Sequence, residues 1–501
     1  MLYTSTRNNT ETVSSAQAIA QGISSEGGLF VPESFPQYDM VTFEELLKMD
    51  YNGRAKKVIS DYLTDFTEDE ISLCVDSAYT KEKFGSENPA PIASFDHDGH
   101  ELNFLELWHG PTCAFKDMAL QILPHLLTCS LSKTADGKEA VILVATSGDT
   151  GKAALEGFKD VENTKIIVFY PSDGVSPMQK HQMNTTSGSN VGVCAIRGNF
   201  DDAQTGVKKI FTTQEVIDAL KENNLMFSSA NSINWGRLLP QIVYYISAYC
   251  DMVNEGKINL GDKINIVVPT GNFGNILAAY FAHSMGMPVN KLICASNSNN
   301  VLTDFIRTGS YNKNRKFITT VSPSMDILVS SNLERLLYIF SGRNSEKTAA
   351  YMNALKTQGE YTVDDTVKNA VSELFYGGYC SEEETLETIS ALYNDSGYLC
   401  DTHTAVAVNV YKKYLDETSD TTPAVIVSTA SPYKFSRAVL SAVEGREITE
   451  EDEFKVVDSL SELTKSEIPA PLEATRTLED RFSTVIESED MPQYVLKTLG
   501  L

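Results

Sequence analysis

The segment Ile264-Asn-Ile-Val-Val-Pro-Thr-Gly-Asn-Phe-Gly-Asn-Ile-Leu-Ala-Ala279 joins an apolar strand, a glycine-rich turn and the start of an alanine-rich helix. The nearly continuous apolar run that ends at Pro269 predicts a strand covered on both faces, as in a parallel sheet. Gly271 and Gly274 allow backbone angles that point successive N–H groups into one concavity, and the helix adds its positive N-terminal end. The segment therefore predicts a phosphate cradle at a strand end. Taken alone, a Gly-x-x-Gly turn favours the simpler alternative, a strand-to-helix turn without a ligand.

The same alternation of apolar strands and helical stretches continues through the chain from about residue 140. This pattern is typical of repeated βαβ units, so we predict an α/β fold with parallel strands. A helix predicted at about 237–255 carries apolar residues at helical spacing, which indicates core packing. The predicted strands are 140–145, 165–170, 191–196, 264–269, 291–295 and 424–428.

Composition divides the chain into four regions. Residues 1–95 are turn-rich with mixed helix and are predicted to form a separate N-terminal cap. Residues 96–310 and 400–440 carry the strand and helix alternation and form the predicted α/β core. Residues 311–399 are helical and polar, which indicates an insertion around the sheet, and residues 441–501 form a predicted acidic, helical tail.

The overall composition excludes several classes of protein. With 501 residues, 42% hydrophobic and 22% charged, the chain is predicted to be globular, with two or three domains. The formal charge of -26 argues against nucleic acid or an anionic membrane as a partner. No apolar run approaches the length of a membrane span, and the polar N-terminus lacks the features of a signal peptide. We therefore expect a cytoplasmic protein.

Cysteine and histidine usage gives no sign of metal chemistry. The eight cysteines include no Cys-x-x-Cys pair and lie mostly among apolar residues, which indicates small core residues in a reducing compartment. The seven histidines show no His-x-x-x-His spacing. We predict no metal site.

One lysine stands among apolar neighbours in the segment His109-Gly-Pro-Thr-Cys-Ala-Phe-Lys-Asp-Met-Ala-Leu-Gln121. The surrounding residues predict the start of a buried helix, so Lys116 is expected to be partly desolvated. Burial disfavours the ammonium and yields the neutral amine that Schiff-base chemistry requires. The alternative is a surface lysine whose stem lies on apolar neighbours, and without a matching anion site this alternative is favoured.

Two further loops follow predicted strands. In Ala145-Thr-Ser-Gly-Asp-Thr-Gly-Lys-Ala-Ala154, Thr146 takes the place of the first glycine of a P-loop, and Ala153 follows Lys152, so no hydroxyl is present for magnesium. The loop suits a carboxylate or another anion, provided that Asp149 forms hydrogen bonds within the loop. In Val427-Ser-Thr-Ala-Ser-Pro432, the hydroxyls could either contact a ligand or cap the next helix.

The order of Lys116, the Gly271 to Asn275 turn and Thr429 resembles fold-type II pyridoxal-phosphate enzymes, and within that class the threonine synthase family in its bacterial and fungal form. The resemblance spans nearly the whole chain. It rests on Gly27-Gly-Leu-Phe-Val-Pro32, His109-Gly-Pro-Thr-Cys-Ala-Phe-Lys-Asp117, Thr146-Ser-Gly-Asp-Thr-Gly151, Asn231-Ser-Ile-Asn-Trp-Gly-Arg237 and Gly271-Asn-Phe-Gly-Asn275. It implies two parallel-sheet domains, the smaller at about residues 130–200, with an N-terminal cap and a helical insertion.

The resemblance also implies a role for each motif. Lys116 would form a Schiff base with pyridoxal 5'-phosphate, and Thr429 would form a hydrogen bond with the pyridine nitrogen. The cofactor phosphate would be held by Gly271, Asn272, Phe273, Gly274 and Asn275. The substrate carboxylate would be taken by Thr146, Ser147, Gly148, Asp149 and Thr150. The substrate phosphate would be held by Asn231, Ser232 and Arg237, with Lys152 as a weaker candidate for that phosphate or for balancing Asp149.

The activity that the resemblance implies is conversion of O-phospho-L-homoserine and water to L-threonine and phosphate, the last step of threonine biosynthesis. A related phospholyase that releases 2-oxobutanoate and phosphate would use the same cofactor residues and remains an alternative. A serine/threonine dehydratase is disfavoured, since it needs no phosphate-binding Arg237. A non-catalytic ligand-binding relative also remains open, and the chain could be a monomer or a homodimer.

Overall fold

An antiparallel three-stranded sheet and five helices form the N-terminal region. The computed structural model describes residues 1–135, 137–146, 148–173, 175 and 177–501, and the side chains of residues 200 and 201 lie outside that description. A serine, threonine or aspartate side chain caps the N-terminus of each of the five helices. In chain order the elements are β1 (Leu2–Ser5), β2 (Thr12–Ser14), α1 (Ser15–Gln21), β3 (Phe30–Pro32), α2 (Met40–Leu46), α3 (Tyr51–Tyr62), α4 (Glu68–Ala78) and α5 (Lys81–Phe84).

A hairpin and two helices lead from this region into the core. The strands β4 and β5 pair antiparallel, and the short helix that follows begins directly after Lys116. The elements are β4 (Ile92–His97), β5 (His100–Glu106), α6 (Asp117–Leu120) and α7 (Leu123–Thr134).

The smaller parallel sheet lies in the next part of the chain. Its strands alternate with helices, as the βαβ pattern predicts. The elements are β6 (Glu139–Ala145), α8 (Asp149–Phe158), β7 (Thr164–Pro171), α9 (Pro177–Asn184), β8 (Val191–Ile196), α10 (Phe200–Ile210), α11 (Gln214–Glu222) and β9 (Leu225–Ser228). The sheet thus extends past the predicted limit near residue 200.

The larger sheet is assembled from both sides of the predicted insertion. The elements are α12 (Trp235–Asn254), β10 (Ile264–Pro269), α13 (Gly274–Ser284), β11 (Val289–Ser296), α14 (Val301–Thr308), β12 (Ser310–Asn312), α15 (Leu333–Phe340), α16 (Ser345–Thr357), β13 (Glu360–Thr362), α17 (Asp365–Leu374), β14 (Phe375–Tyr379), α18 (Glu382–Ser396), α19 (Thr402–Thr418) and β15 (Ala424–Ser428). The strand order is β14-β11-β10-β15-β5-β4, parallel throughout except for the β4–β5 hairpin. The predicted helical insertion therefore supplies an edge strand, β14, to this sheet.

The C-terminal region packs back onto the smaller sheet. Its elements are α20 (Ser436–Glu444), α21 (Glu453–Thr464), α22 (Ala470–Glu473), β16 (Val485–Ile486) and α23 (Met491–Leu499). The smaller sheet has the parallel order β16-β8-β7-β6-β9, so its edge strand β16 comes from the far end of the chain. The Tyr494 hydroxyl of α23 donates to the Val193 carbonyl of β8 at 3.0 Å. The region predicted as an acidic tail thus closes one side of the smaller sheet.

The six predicted strands are all confirmed, as β6, β7, β8, β10, β11 and β15, and the predicted long helix is confirmed as α12. Strands β5 and β14 were not predicted, because their sequences mix polar or glycine residues into the apolar pattern, and β9 was not predicted because it is only four residues long. None of the helices in the described part of the chain is both long enough and apolar enough to span a membrane.

Candidate active site

The carboxyl ends of three neighbouring strands bring the main site segments together. β10, β15 and β5 are adjacent and parallel, so their carboxyl ends lie at the same edge of the larger sheet. The glycine-rich turn follows β10, Thr429 follows β15, and the segment with Lys116 follows β5. Ligands of open α/β sheets bind at such an edge, which makes this the candidate active site.

Lys116 is held at this edge by backbone pairing with the end of β15. The Phe115 N–H donates to the Thr429 carbonyl at 2.8 Å, and Ala114 and Ala430 form an antiparallel bridge. The Lys116 side chain is 11% exposed. Its Nζ donates to Ser324 Oγ at 3.4 Å. Burial lowers the pKa of Lys116, which favours the neutral amine.

The N–H groups of the glycine-rich turn have no acceptor among the described residues, whereas two of its carbonyls accept hydrogen bonds from neighbouring residues. The Gly271 carbonyl accepts a hydrogen bond from Ser330 Oγ at 2.7 Å, and the Asn272 carbonyl accepts two from Asn332, both at 3.1 Å. Phe273 has a left-handed backbone with φ 63° and precedes the first turn of α13. Within the described chain, the N–H groups of residues 271–275 donate to no protein acceptor. The turn therefore has the form of an anion cradle at a helix N-terminus.

The close approach of Ser324 explains why the turn begins with glycine. A Cβ on Gly271 would lie 2.7 Å from the Ser324 carbonyl oxygen. The Ser324 N–H in turn donates to His403 Nε2 at 3.1 Å, and His403 Nδ1 lies 2.7 Å from a carboxylate oxygen of buried Asp401. This arrangement places the Nδ1 proton between His403 and Asp401 and fixes the Ser324 backbone beside Lys116.

Two polar groups at the site have no protein partner among the described residues. The amide oxygen of Asn275 accepts hydrogen bonds from Tyr244 and Tyr245, whereas its buried Nδ2 has no partner. Thr429 is 5% exposed, and its hydroxyl forms no hydrogen bond in that part of the chain. Buried polar groups are normally satisfied, and both of these groups lie at the edge where the site segments meet, so they are available to contact a ligand bound there.

The loop after β6 is shaped by its own threonine. Thr146 Oγ1 accepts from the N–H groups of Gly148 and Gly151, both at 2.9 Å, so this side chain orders the loop. Gly148 has φ 141°, a conformation that L side chains rarely adopt, and Thr150 is half-buried. Ser147, also predicted to take the substrate carboxylate, lies outside the described residues.

Asp149 pairs with a lysine that sequence reasoning did not identify. Lys434 Nζ lies 2.8 Å from Asp149 Oδ1, and Gln179 Nε2 donates to the same oxygen at 3.2 Å. Burial by itself would raise the pKa of Asp149, but Lys434 and Lys116 together hold it below its ordinary value. The described partners of Asp149 thus lie outside its own loop, unlike the expected turn contacts.

The interpretation of Lys152 as the group that balances Asp149 is wrong. Lys152 Nζ lies 2.6 Å from Glu156 on the next turn of α8 and 3.0 Å from Thr186 Oγ1. The i, i+4 spacing on the helix makes Glu156 the nearer carboxylate. Lys434 lies beside Asp149 instead. These two residues are far apart in sequence, and only the fold brings them together. The signal for Lys434 was its position in Ser431-Pro-Tyr-Lys-Phe435, directly after a buried strand.

The predicted substrate-phosphate segment places one buried cation at the site. Asn231 is exposed, Ser232 is half-buried, and Arg237 on α12 is 4% exposed. Arg237 Nη1 donates to the Ala230 carbonyl at 2.6 Å, and its buried Nε has no partner in the described chain. No carboxylate among the described residues forms an ion pair with Arg237. Burial lowers the pKa of Arg237 to about 10.

Three families of proteins match successive, partly overlapping parts of this chain. Residues 87–430, which contain Lys116, the glycine-rich turn and Thr429, match the family of pyridoxal-phosphate dependent enzymes. Residues 2–79 match the family described as threonine synthase N terminus, and residues 404–495 match threonine synthase, C-terminal. The fold and the buried lysine at the sheet edge thus define a pyridoxal-phosphate-dependent enzyme. The two flanking matches narrow this class, and the chain belongs to the threonine synthase family.

Individual relatives agree with this assignment. The chain is 40% identical to human threonine synthase-like 1 over 445 residues, which is 87% of this chain and 58% of that protein. It is 36% identical to the threonine synthase of Saccharomyces cerevisiae over 469 residues, with 89% of each covered. The structure of pyridoxal-phosphate-bound threonine synthase from Brucella melitensis matches with a TM-score of 0.87 at 34% identity, over 99% of each chain. The yeast enzyme structure matches with a TM-score of 0.89 at 33% identity, over 100% of this chain and 99% of that chain.

These comparisons confirm the predicted family, the fold-type II architecture and the cofactor class. The site residues fit pyridoxal phosphate on independent structural grounds. A buried amine lies at the same edge as a cradle of unpaired N–H groups, and the unsatisfied Asn275 Nδ2 and the Thr429 hydroxyl supply further polar contacts. These are the donor types that a phosphorylated pyridine aldehyde requires.

Proposed function

We propose that this protein converts O-phospho-L-homoserine and water into L-threonine and phosphate, using pyridoxal phosphate. The choice of a phosphorylated substrate rests on the buried Arg237 guanidinium, which has no carboxylate partner in the described chain. A buried charge without a carboxylate partner and with an unbonded Nε is costly, and an anionic ligand would satisfy both. The planar guanidinium suits a phosphate oxygen pair, and Asn231 and Ser232 precede it in the same segment.

Other residues around Lys116 would bind the cofactor and the substrate carboxylate. When bound, pyridoxal phosphate supplies an electron sink for negative charge that develops on the substrate carbons. The residues 271–275 would bind the cofactor phosphate through their free N–H groups, and the Thr429 hydroxyl would bind the pyridine nitrogen. A neutral hydroxyl there leaves that nitrogen less fully protonated than a carboxylate would. The loop 146–150 would orient the substrate carboxylate.

Lys116 would serve as the proton carrier of the reaction. Its buried amine has a lowered pKa, so it can accept the Cα proton and then move protons at Cβ. Loss of phosphate from Cγ and addition of water at Cβ complete the conversion to threonine. Because release of 2-oxobutanoate competes with formation of threonine, the burial of Lys116 and Arg237 would matter for controlling access of water. We also propose a cytoplasmic location, which the eight free cysteines support.

Product analysis tests this proposal. The purified protein, supplied with pyridoxal phosphate, is incubated with O-phospho-L-homoserine, and threonine, 2-oxobutanoate and phosphate are each quantified. We expect threonine and phosphate in equal amounts. Release of 2-oxobutanoate as the main organic product would establish the phospholyase instead. A colourless protein that neither binds the cofactor nor releases phosphate would identify a non-catalytic relative.

A further inference from the structure

Asp149 lies between the side chains of two buried lysines. Lys434 Nζ is 2.8 Å from Oδ1, while Lys116 Nζ is 4.0 Å from Oδ2. The side chains of Lys434 and Asp149 are 1% and 4% exposed, so solvent screens this pair weakly. Lys434 Nζ also donates to the Thr112 carbonyl at 2.8 Å, which ties it to the segment that carries Lys116.

The two distances decide which lysine satisfies the carboxylate. Lys434 forms a direct ion pair with Asp149, whereas the Lys116 amine stays at the outer limit of such a contact. If Lys434 were removed, Asp149 would be a buried carboxylate with Lys116 as its nearest described cation. Because an unpaired buried charge is costly, the Lys116 side chain would then turn to Asp149 and its ammonium would be stabilised.

We infer that Lys434 is a positioning residue for the Schiff-base lysine: by holding Asp149 through Oδ1, it leaves the Lys116 amine available to the carbonyl of the cofactor. This inference rests on the cofactor role proposed above for Lys116, but not on the identity of the substrate. The Schiff base forms when the neutral amine attacks the aldehyde carbon and the carbonyl oxygen leaves as water. An ammonium paired with Asp149 has no lone pair for this attack.

The expected pH dependence follows from the charged groups that face Lys116. These groups are Asp149, Lys434, Arg237 and Asp117. Asp149 and Asp117 stabilise the ammonium, whereas Lys434 and Arg237 destabilise it. Loss of Lys434 removes one cation and releases one carboxylate, and both changes raise the pKa of Lys116. Schiff-base formation should then require a higher pH.

The test measures Schiff-base formation rather than turnover. Full-length protein freed of cofactor is mixed with pyridoxal phosphate across a pH series and reduced with borohydride, and modification of the Lys116 peptide is quantified by mass spectrometry. In Lys434→Met, the pH of half-maximal trapping should rise by about 1 unit or more. Lys434→Arg, which keeps the cation, and Lys356→Met, an exposed lysine on α16, should leave it unchanged.

A double variant keeps the inference falsifiable if Lys434→Met folds poorly. Lys434→Met combined with Asp149→Asn removes both charges, and its trapping midpoint should return to the wild-type value or below. A midpoint in Lys434→Met equal to that of the wild type would overturn the inference, as would a double variant that keeps the raised midpoint. If the wild-type protein traps pyridoxal phosphate on Lys116 but makes no threonine, the proposed function is overturned and the inference about Lys434 is not.

Discussion

Three residues of the candidate active site carry polar groups that have no hydrogen-bond partner among the described residues. Arg237 Nε and Asn275 Nδ2 are buried without partners in the described chain, and the Thr429 hydroxyl there forms no hydrogen bond. Elsewhere in the described chain, buried cations such as Arg54 and Lys152 are satisfied, by Asp251 and Glu156 respectively. Buried atoms without a partner among the described residues also occur elsewhere, as at the Tyr51 hydroxyl and Trp235 Nε1, so it is the position of these three groups at the candidate active site that makes them candidates for ligand contacts.

Replacement of Lys116 by alanine should abolish covalent capture of the cofactor. Borohydride should fix pyridoxal phosphate to the Lys116 peptide of the wild type and leave no adduct in Lys116→Ala. We expect kcat to fall by roughly 10²- to 10⁴-fold or more, because the general base is lost together with the Schiff base. Lys152→Met, a second buried lysine that pairs with Glu156, serves as the control and should still trap cofactor on Lys116. An adduct on another lysine of Lys116→Ala would contradict the assignment.

Arg237→Met should weaken substrate binding without destabilising the fold. Loss of hydrogen bonds to a charged phosphate should raise KM for phosphohomoserine by roughly 10- to 100-fold. The unfolding temperature of the cofactor-free protein should stay the same or rise, because methionine leaves no unpaired buried charge. Arg197→Met, a 69% exposed arginine on the smaller sheet, is the matched control for kinetics and should change neither value. An unchanged KM in Arg237→Met would remove it from the phosphate site.

Among the structural elements, the start of α15 has the widest influence on the site. Arg335 is fully buried and donates from Nε to the Phe30 carbonyl of the cap at 2.9 Å. Its two terminal nitrogens bond to Asn332 and to the Ile233 carbonyl, and Asn332 in turn holds the carbonyl of Asn272. The region predicted as an elaboration around the sheet thus connects the cap, the glycine-rich turn and the segment before Arg237.

Asn332→Ala should weaken cofactor binding through this connection. It removes the side-chain hydrogen bond to the Asn272 carbonyl and the acceptor of Arg335 Nη1, and leaves the backbone hydrogen bond to Asn272, so the turn is held less firmly. A loss of about 0.5–1.5 kcal/mol corresponds to roughly 2- to 12-fold weaker binding of pyridoxal phosphate, measured by equilibrium dialysis. Asn353→Ala, on the exposed face of α16, is the control. Equal dissociation constants in wild type and Asn332→Ala would show that the turn is rigid without this contact.

In the whole molecule, an aromatic cluster joins the cap to the core. Trp235 at the start of α12 is fully buried. Its ring centroid lies 5.3 Å from that of Tyr3, 5.4 Å from that of Tyr62 and 5.6 Å from that of Phe281. Two of these partners belong to the cap and one to α13, the helix that begins at the glycine-rich turn. Stability of the cap and geometry of the site are therefore physically linked.

Tyr3→Ala should destabilise the protein strongly through this cluster. Removal of a fully buried aromatic side chain costs about 3–5 kcal/mol, and the hydrogen bond from the Tyr3 hydroxyl to the Tyr62 carbonyl is lost as well. Urea unfolding followed by tryptophan fluorescence measures the change. Tyr379→Ala, with a residue 46% exposed, should shift stability by no more than about 0.5 kcal/mol. Similar effects in the two variants would show that the cap contributes little to global stability.

The sequence by itself determined the parts whose signals are local. Runs such as 264–269 specify strands through continuous apolarity, and Gly271 and Gly274 specify the turn through backbone freedom, so the parallel sheets and the cradle were predictable. Strand β5 was not predicted, because its polar alternation hides a strand that is covered only in the assembled sheet. Its position next to β15 is what brings Lys116 to the cradle.

Only the tertiary structure determined which residues pair with the buried charges and which hydrogen bonds hold the site segments in place. The pairing of Lys434 with Asp149, the contact of Ser324 with Lys116, and the link from Arg335 to Ile233 each join residues far apart in sequence. Sequence patterns report which residues are apolar or flexible, whereas the partner of a buried charge depends on which segments the packed sheets bring within a few ångströms of it. That is why the sequence determined the cofactor class and predicted Lys116 as its lysine, while the surroundings of Lys116 emerged only from the fold.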